Sequence, residues 1–114
     1  MAVYIKLYEN KIYLRNIKTN NEHTIIPDKP FSRNGLLVAN IDIAAETIKI
    51  GIKEIMTKAS LLFIKPKIYV QPMKDINEIT QTETLGIMQA FYMAGAREVI
   101  LIKNEDEIKY GTPA

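Results

Sequence analysis

Few residues in this chain have the types and spacing that catalysis requires. His23 is the only histidine, and a Ser/His/Asp relay would need an activated hydroxyl beside it, which the sequence gives no reason to place there. The acids cluster at Asp75 and Glu78 and at residues 105–107, without the spaced oxygen ligands and central glycine of a calcium loop. We therefore predict a surface imidazole, solvated acids, and no catalytic residue, metal or cofactor.

Aromatic and cationic residues alternate with apolar residues near the N-terminus. They are Tyr4, Lys6, Tyr8, Lys11, Tyr13 and Arg15. Such a ladder is an ordinary sheet face stabilised by cation–π pairs, a protein-contact surface, or a platform for stacked bases and phosphates. Tyrosine is enriched at protein interfaces, so this composition favours a protein partner over nucleic acid. We take the six residues as the candidate partner-binding surface.

A β-hairpin would bring these residues onto one face. Val3 to Tyr8 and Lys11 to Arg15 both alternate, and Glu9-Asn10 between them fits a two-residue turn because asparagine tolerates positive φ. This register pairs Leu7 with Ile12, Ile5 with Leu14, Tyr8 with Lys11, Lys6 with Tyr13, and Tyr4 with Arg15. A third strand is predicted at His23 to Ile26, ended by Pro27, with a loop through Gly35.

A helix of about five turns is predicted next. Apolar residues recur at steps of four and three, at positions Ile41, Ala45, Ile48, Ile52, Ile55 and Ala59. Asp42 can serve as its N-cap.

The second half reads as strand, helix and strand. Ile68 to Val70 is a short strand, and Thr80 to Glu83 has the Thr-x-x-Glu spacing of a capping box that starts a helix. We expect Gly95 to end this helix, and Leu85, Met88 and Phe91 or Tyr92 to face inward. Val99 to Ile102 is a continuous apolar run, typical of a strand buried on both faces.

A right-handed crossover makes the strand at Ile68 parallel to the strand at Val99. The predicted fold class is therefore α/β: a small mixed sheet, built from an N-terminal hairpin or meander and a βαβ unit, with two main helices.

Composition fits one domain spanning 1–114. The chain has 114 residues, 47% of them apolar, a net charge of +2 and no cysteine, which excludes disulfides, thiolate zinc sites and thiol nucleophiles. No apolar stretch is long enough to span a membrane and no signal peptide is evident. We predict a cytoplasmic protein, and the small net charge makes nucleic acid an unlikely partner.

Two segments resemble a known family. Lys65-Pro66-Lys67-Ile68-Tyr69-Val70 and Ala94-Gly95-Ala96-Arg97-Glu98-Val99 are similar to segments of the MreB family of bacterial actin-like rod-shape-determining proteins. That family carries a Lys-Pro-Arg strand, a capped helix, and Ala-Gly-Ala-Arg-Glu-Val leading into a second strand. The resemblance implies one actin-like subdomain, with an insertion of about five residues within Met73 to Asn77.

The sequence departs from the family pattern at the residues that bind and hydrolyse the nucleotide. Neither of the family's glycine-rich phosphate loops is found in this sequence, and its five glycines are scattered. Lys103-Asn104-Glu105 stands where the family has the Glu-Glu-Pro that orients the attacking water, and Asn40 stands in place of an aspartate. The resemblance therefore implies a scaffold without ATP hydrolysis.

These observations lead to a non-enzymatic protein-binding module derived from an MreB-like subdomain, which interacts with or regulates the cell-shape cytoskeleton. The alternative is an immunity or antitoxin protein that blocks a bacterial toxin's active site. A homodimer would also cover the edges of an isolated subdomain. RNA binding through the tyrosine and lysine face is a third class.

Overall fold

The computed structural model describes residues 2–56 and 65–108. These residues form strands β1 (Ala2–Tyr8), β2 (Lys11–Asn16), β3 (Glu22–Ile25), β4 (Lys67–Pro72) and β5 (Glu98–Leu101), and helices α1 (Ile41–Ile55) and α2 (Gln81–Met93). Short 3-10 turns lie at Ile76–Glu78 and Glu105–Glu107. The strands make one sheet in the order β3-β2-β1-β4-β5, antiparallel from β3 to β1 and parallel from β1 to β5. The predicted α/β class, with a meander and a parallel βαβ unit, is confirmed.

The N-terminal hairpin has the predicted register. Leu7 pairs with Ile12 and Tyr8 with Lys11, so the loop holds two residues. Asn10 has a φ of 51°, the left-handed conformation that asparagine tolerates better than most residues. The Asn10 side chain also accepts a hydrogen bond from the Ser32 amide, while the Asn10 amide donates to the Ser32 hydroxyl. The turn is thereby tied to the loop that precedes α1.

Helix α1 begins earlier and is shorter than predicted. Its N-cap is Asn40, whose side chain accepts a hydrogen bond from the Ile43 amide, so the prediction of Asp42 as N-cap is wrong. The amides of Ala39 and Asn40 both donate to the Phe31 carbonyl, which fixes Asn40 in the capping position. The helix ends at Ile55. Predicted position Ala59 lies outside the described residues.

Helix α2 starts and stops as expected, but its orientation differs. Thr80 accepts a hydrogen bond from the Glu83 amide, and Gly95 follows the helix with a φ of 104°. Leu85, expected inside, is 63% exposed. Of the alternatives Phe91 and Tyr92, Phe91 is buried and Tyr92 is 47% exposed. The inward residues are Glu83, Ile87, Ala90 and Phe91. Apolar residues surround most of this helix, so periodicity alone does not select its buried side.

Both helices pack on one face of the sheet. The main core cluster joins Ile5, Leu7 and Leu14 of the sheet to Ile48 of α1 and Phe91 of α2. A second, smaller cluster on the opposite face is formed by Tyr4, Tyr69, Ile102 and Ile108. Within residues 2–56 and 65–108 no helix packs on that opposite side, and we call it the helix-free face; the segment that follows β5 covers part of it.

Strand β5 occupies an edge of the sheet, which corrects the prediction of a strand buried on both faces. Val99 is buried, but Ile100 and Leu101 are only half-buried, because none of the described strands lies beyond them. Strand β3 forms the opposite edge. It ends at Ile25, one residue before the predicted end, and leaves Ile26 exposed.

Candidate functional site

The structure brings all six predicted binding residues onto the helix-free face. Each lies on the central strands β1 or β2, and they face each other in pairs: Tyr4 with Arg15, Lys6 with Tyr13, and Tyr8 with Lys11. This arrangement follows from the two-residue turn, since side chains alternate between faces along each strand. The surface identified from the sequence is therefore a contiguous one.

Every cation of the ladder lies over a tyrosine ring. The distance to the ring centroid is 5.5 Å from Lys6 Nζ to Tyr13, 4.2 Å from Lys11 Nζ to Tyr8, and 5.3 Å from Arg15 Cζ to Tyr4. Such pairs contribute about 0.5–1 kcal/mol each at exposed sites. They also hold the long cationic side chains in place before a partner binds. Less rotamer entropy is therefore lost on binding.

Tyr4 is not available to a partner. Its side chain is 1% exposed, and its hydroxyl donates a hydrogen bond to Gln71 Oε1 on β4. Tyr69 and Ile108 pack against it in the smaller core cluster. The expectation that Tyr4 belongs to an exposed ladder is therefore wrong, because the segment after β5 folds back over this end of the face.

Arg15 is held by the same segment. Its Nη2 atom donates to Glu105 Oε1 at 3.1 Å, across a separation of 90 residues in the chain. Glu105 was interpreted as one of a group of solvated acids, but its carboxylate joins the turn at Glu105–Glu107 to strand β2. This end of the face is internally paired.

The four partly exposed residues other than Arg15 form what we call the tyrosine–lysine patch: Lys6, Tyr8, Lys11 and Tyr13. Within residues 2–56 and 65–108, neither Lys6 nor Lys11 makes an ion pair. Tyr13 donates a hydrogen bond from its hydroxyl to Glu22 Oε2 at 2.6 Å and packs edge-on against Tyr4, with the ring centroids 6.3 Å apart. The patch therefore presents rigid aromatic rings and two cations whose charge is not neutralised by a carboxylate.

Tyr13 should ionise later than an ordinary tyrosine. Burial first, and then the hydrogen bond and charge of Glu22, raise the pKa of Tyr13 from 10.0 to about 12. Because the folded-state pKa is raised, the protonated phenol stabilises the fold below pH 10, and this contribution is lost as the pH rises through the folded-state pKa. Subtracting the phenolate absorbance titration of Tyr13→Phe from that of the wild type isolates this group.

The variant Glu22→Gln tests the cause. It should move the isolated Tyr13 titration toward the ordinary range, since an amide carries no charge to oppose phenolate formation. An isolated Tyr13 curve that coincides with that of the other tyrosines in the wild type would contradict this geometry.

Two buried polar residues were missed by the sequence analysis. Glu83 has a side-chain exposure of 0%. Asn16 is also fully buried and donates from Nδ2 to the Ile55 carbonyl at 3.1 Å. The Thr-x-x-Glu motif marked Glu83, but the residue was assigned to a capping box, whereas its carboxylate binds Lys74 and the Leu37 amide.

Met73, Met88 and Met93 lie on or near α2, and Met88 was expected to face inward. Met73 and Met93 are exposed and Met88 is half-buried, so most of this group lies outside the core. Methionine at a surface provides an adaptable contact area.

The described residues contain no group of three or more His, Cys, Asp or Glu side chains that could hold a metal ion. Within the same part of the chain, no helix is long and apolar enough to cross a membrane. Comparison of the chain with protein-family models, with curated proteins and with solved structures finds no match. The structure itself defines a small mixed α/β fold with an aromatic and cationic helix-free face.

Proposed function

We propose that this protein is a non-enzymatic binding module that acts by occupying a surface of another protein. The tyrosine–lysine patch is the observation that carries the proposal. It combines large aromatic area with cations fixed over the rings, and neither helix covers it. Tyrosine is enriched at protein interfaces and among the residues that dominate their binding energy. The lysines held over its rings add charge, which contributes specificity.

The charge of the patch specifies the chemistry of the partner. Lys6 and Lys11 lie at neighbouring positions beside the β1–β2 turn, while Arg15 is already paired with Glu105. A partner surface with carboxylates opposite the two lysines would complement this field, and like charges there would be rejected.

The proposed partner is the cell-shape cytoskeleton. The supporting argument is the resemblance of residues 65–70 and 94–99 to the MreB family, and these residues lie on β4 and at the α2–β5 junction of the parallel unit. A unit with this scaffold would dock where a filament subunit docks, and would thereby cap or regulate assembly. The same resemblance supports a cytoplasmic location.

Co-sedimentation with filaments of a purified MreB-family protein tests this function. We expect the wild-type protein to pellet with the filaments. The double variant Lys6→Glu/Lys11→Glu should weaken pelleting by about tenfold or more, because like charges across an interface cost several kcal/mol.

Lys49→Glu/Lys53→Glu is the matched control. It makes the same change in net charge on exposed positions of α1, on the opposite side of the sheet, and should pellet like the wild type. Wild-type protein that stays in the supernatant, or equal losses in both double variants, would refute the proposal.

A further inference from the structure

The helix-free face carries a fourth cation–π pair, which the sequence analysis missed. Lys67 Nζ on β4 lies 5.3 Å from the centroid of the Tyr69 ring. Tyr69 is in register with Tyr4 on β1, and Tyr4 is in register with Arg15 on β2. One row of side chains across three strands therefore joins this pair to the ladder.

An acidic segment lies across this row. Ile108 packs with Tyr4 and Tyr69 in the smaller core cluster, and the two tyrosines are 1% and 5% exposed. The turn before Ile108 consists of three consecutive acids, Glu105–Glu107, whereas every charged residue of β1 and β2 is a cation. We call residues 103–108 the acidic strap.

The strap carries hydrogen bonds of its own. The Asn104 side chain accepts from the Asp106 amide, and the Glu107 carboxylate accepts from the Asn104 amide. The Ile108 amide donates to the Glu105 carbonyl. These bonds persist when the strap moves as a unit, so its shape does not depend on the face beneath it.

An ion pair and a buried side chain attach the strap to the face. Glu105 Oε1 lies 3.1 Å from Arg15 Nη2, with the side chains 48% and 21% exposed. A pair this exposed to water contributes little to stability. Ile108 is buried over the tyrosine rings. Segments held by few buried apolar contacts are those that open locally while the rest of the fold persists.

We propose that the acidic strap is an intramolecular occupant of a binding surface formed by Tyr4, Arg15 and Tyr69, and that an acidic segment of a protein partner displaces it. The strap itself shows which chemistry fits. It places a carboxylate beside Arg15 and, three residues later, a branched apolar side chain over the rings. The partner segment would therefore carry a Glu-x-x-Ile pattern or its equivalent.

This inference rests on the proposed function, because it adds regulation to the same face and the same acidic partner chemistry. With the strap closed, a partner meets the tyrosine–lysine patch alone. Displacement adds two tyrosines and Arg15, residue types that dominate binding energy at protein interfaces. The apparent affinity for the partner is then reduced to the fraction of molecules in which the strap is open.

Nitration of Tyr4 by tetranitromethane measures this opening. The full chain is treated, digested and analysed by mass spectrometry, so that Tyr4 is followed separately from the other tyrosines. Ile108→Ala should raise the rate about tenfold or more, because a buried apolar contact is lost from the closed state. Glu105→Gln should raise it about two- to fivefold, the range of a partly exposed ion pair.

Asp106→Asn is the matched control. It makes the same charge change as Glu105→Gln, on an exposed side chain of the same turn. Tyr4 in this variant should react like Tyr4 of the wild type.

A synthetic peptide with the sequence of residues 102–108 is the probe for the surface. It is titrated into isotopically labelled Ile108→Ala protein, or into Glu105→Gln protein if the first variant fails to fold. We expect amide shifts concentrated at Tyr4, Arg15 and Tyr69. A peptide carrying Glu105→Gln should bind about two- to fivefold more weakly.

Co-sedimentation with MreB-family filaments separates this inference from the proposed function. Filaments should bind Ile108→Ala more tightly than the wild type, by the factor by which Tyr4 nitration rises. If the peptide shifts the three residues while neither wild type nor variant pellets, the strap inference is supported and the cytoskeletal partner is refuted.

Each of three results would overturn the inference. One is Tyr4 nitration in Ile108→Ala and Glu105→Gln at the wild-type rate. Another is a peptide titration without shifts at Tyr4, Arg15 and Tyr69. The last is wild-type protein that pellets and an Ile108→Ala variant that nitrates faster but pellets no better.

Discussion

Replacing Glu83 with alanine is expected to lower the free energy of unfolding by about 2–4 kcal/mol, because the buried Leu37 amide loses its acceptor and Lys74, whose side chain is 19% exposed, loses its counter-ion. The Glu83 carboxylate accepts hydrogen bonds of 2.8 Å from the Leu37 amide and of 2.8 Å from Lys74 Nζ. Lys74 also donates to the Gly35 carbonyl. One carboxylate thus connects the start of α2 to the loop before α1, and urea-induced unfolding measures its loss.

Variants of intermediate severity test the explanation. Glu83→Gln removes the charge but can still accept a hydrogen bond from the Leu37 amide, so it should cost less than Glu83→Ala. Lys74→Met leaves a buried carboxylate without its cation. The double variant Glu83→Gln/Lys74→Met should lose less than the sum of the two single losses, since the two side chains interact.

Glu54→Ala is the control for this series. Glu54 lies exposed on α1, so its replacement should change stability by no more than about 0.5 kcal/mol. If Glu83→Ala were no more destabilising than this control, the connecting role of the carboxylate would be disproved.

Asn16→Ala should lower the free energy of unfolding by about 2–3 kcal/mol, since a buried carbonyl is left unsatisfied and a turn loses its acceptor. The Asn16 side chain donates to the Ile55 carbonyl at the end of α1 and accepts from the Lys18 amide at 3.0 Å. It therefore joins the end of β2 to the last turn of α1. Chemical denaturation of the variant measures the effect.

Two variants test whether the loss of stability is specific to the hydrogen bonds of Asn16. Asn21→Ala removes an exposed asparagine from the following turn and should leave stability within about 0.5 kcal/mol of the wild type. Asn16→Asp keeps the acceptor for Lys18 but faces the Ile55 carbonyl with a carboxylate oxygen, and we expect it to be destabilised at neutral pH. Equal stabilities for Asn16→Ala and Asn21→Ala would contradict the assignment.

The hairpin and the ends of α2 could be predicted because local rules decide them. Alternation and the Glu9-Asn10 turn fixed the register of β1 with β2 without any distant contact. Thr80 and Gly95 delimit α2 through capping chemistry that acts within one helical turn. The parallel pairing of β4 with β5 follows from the handedness of a single crossover.

Long-range contacts decided the features that were missed. Tyr4 is buried because residues about 100 positions later fold over it, as the packing of Ile108 shows, and no local pattern signals this. The core side of α2 is set by packing on α1 and β5 rather than by its own apolar positions. Glu83 is buried because a loop amide and Lys74 converge on it, which requires the tertiary fold.

The candidate surface was found from the sequence because side-chain alternation in a hairpin is a local property. The part of this surface that a partner can reach could not be predicted, because the segment after β5 packs against Tyr4 and forms an ion pair with Arg15. The tyrosine–lysine patch is the remaining part, and the proposed function depends on it.

Amide chemical-shift mapping tests the central claim most directly. Isotopically labelled protein is titrated with a purified, unpolymerised MreB-family protein, and the perturbed residues are identified. We expect shifts and line broadening concentrated at the tyrosine–lysine patch on β1 and β2, which Lys6→Glu/Lys11→Glu abolishes. A spectrum that does not change at any partner concentration, or perturbations confined to α1 and β3, would contradict it.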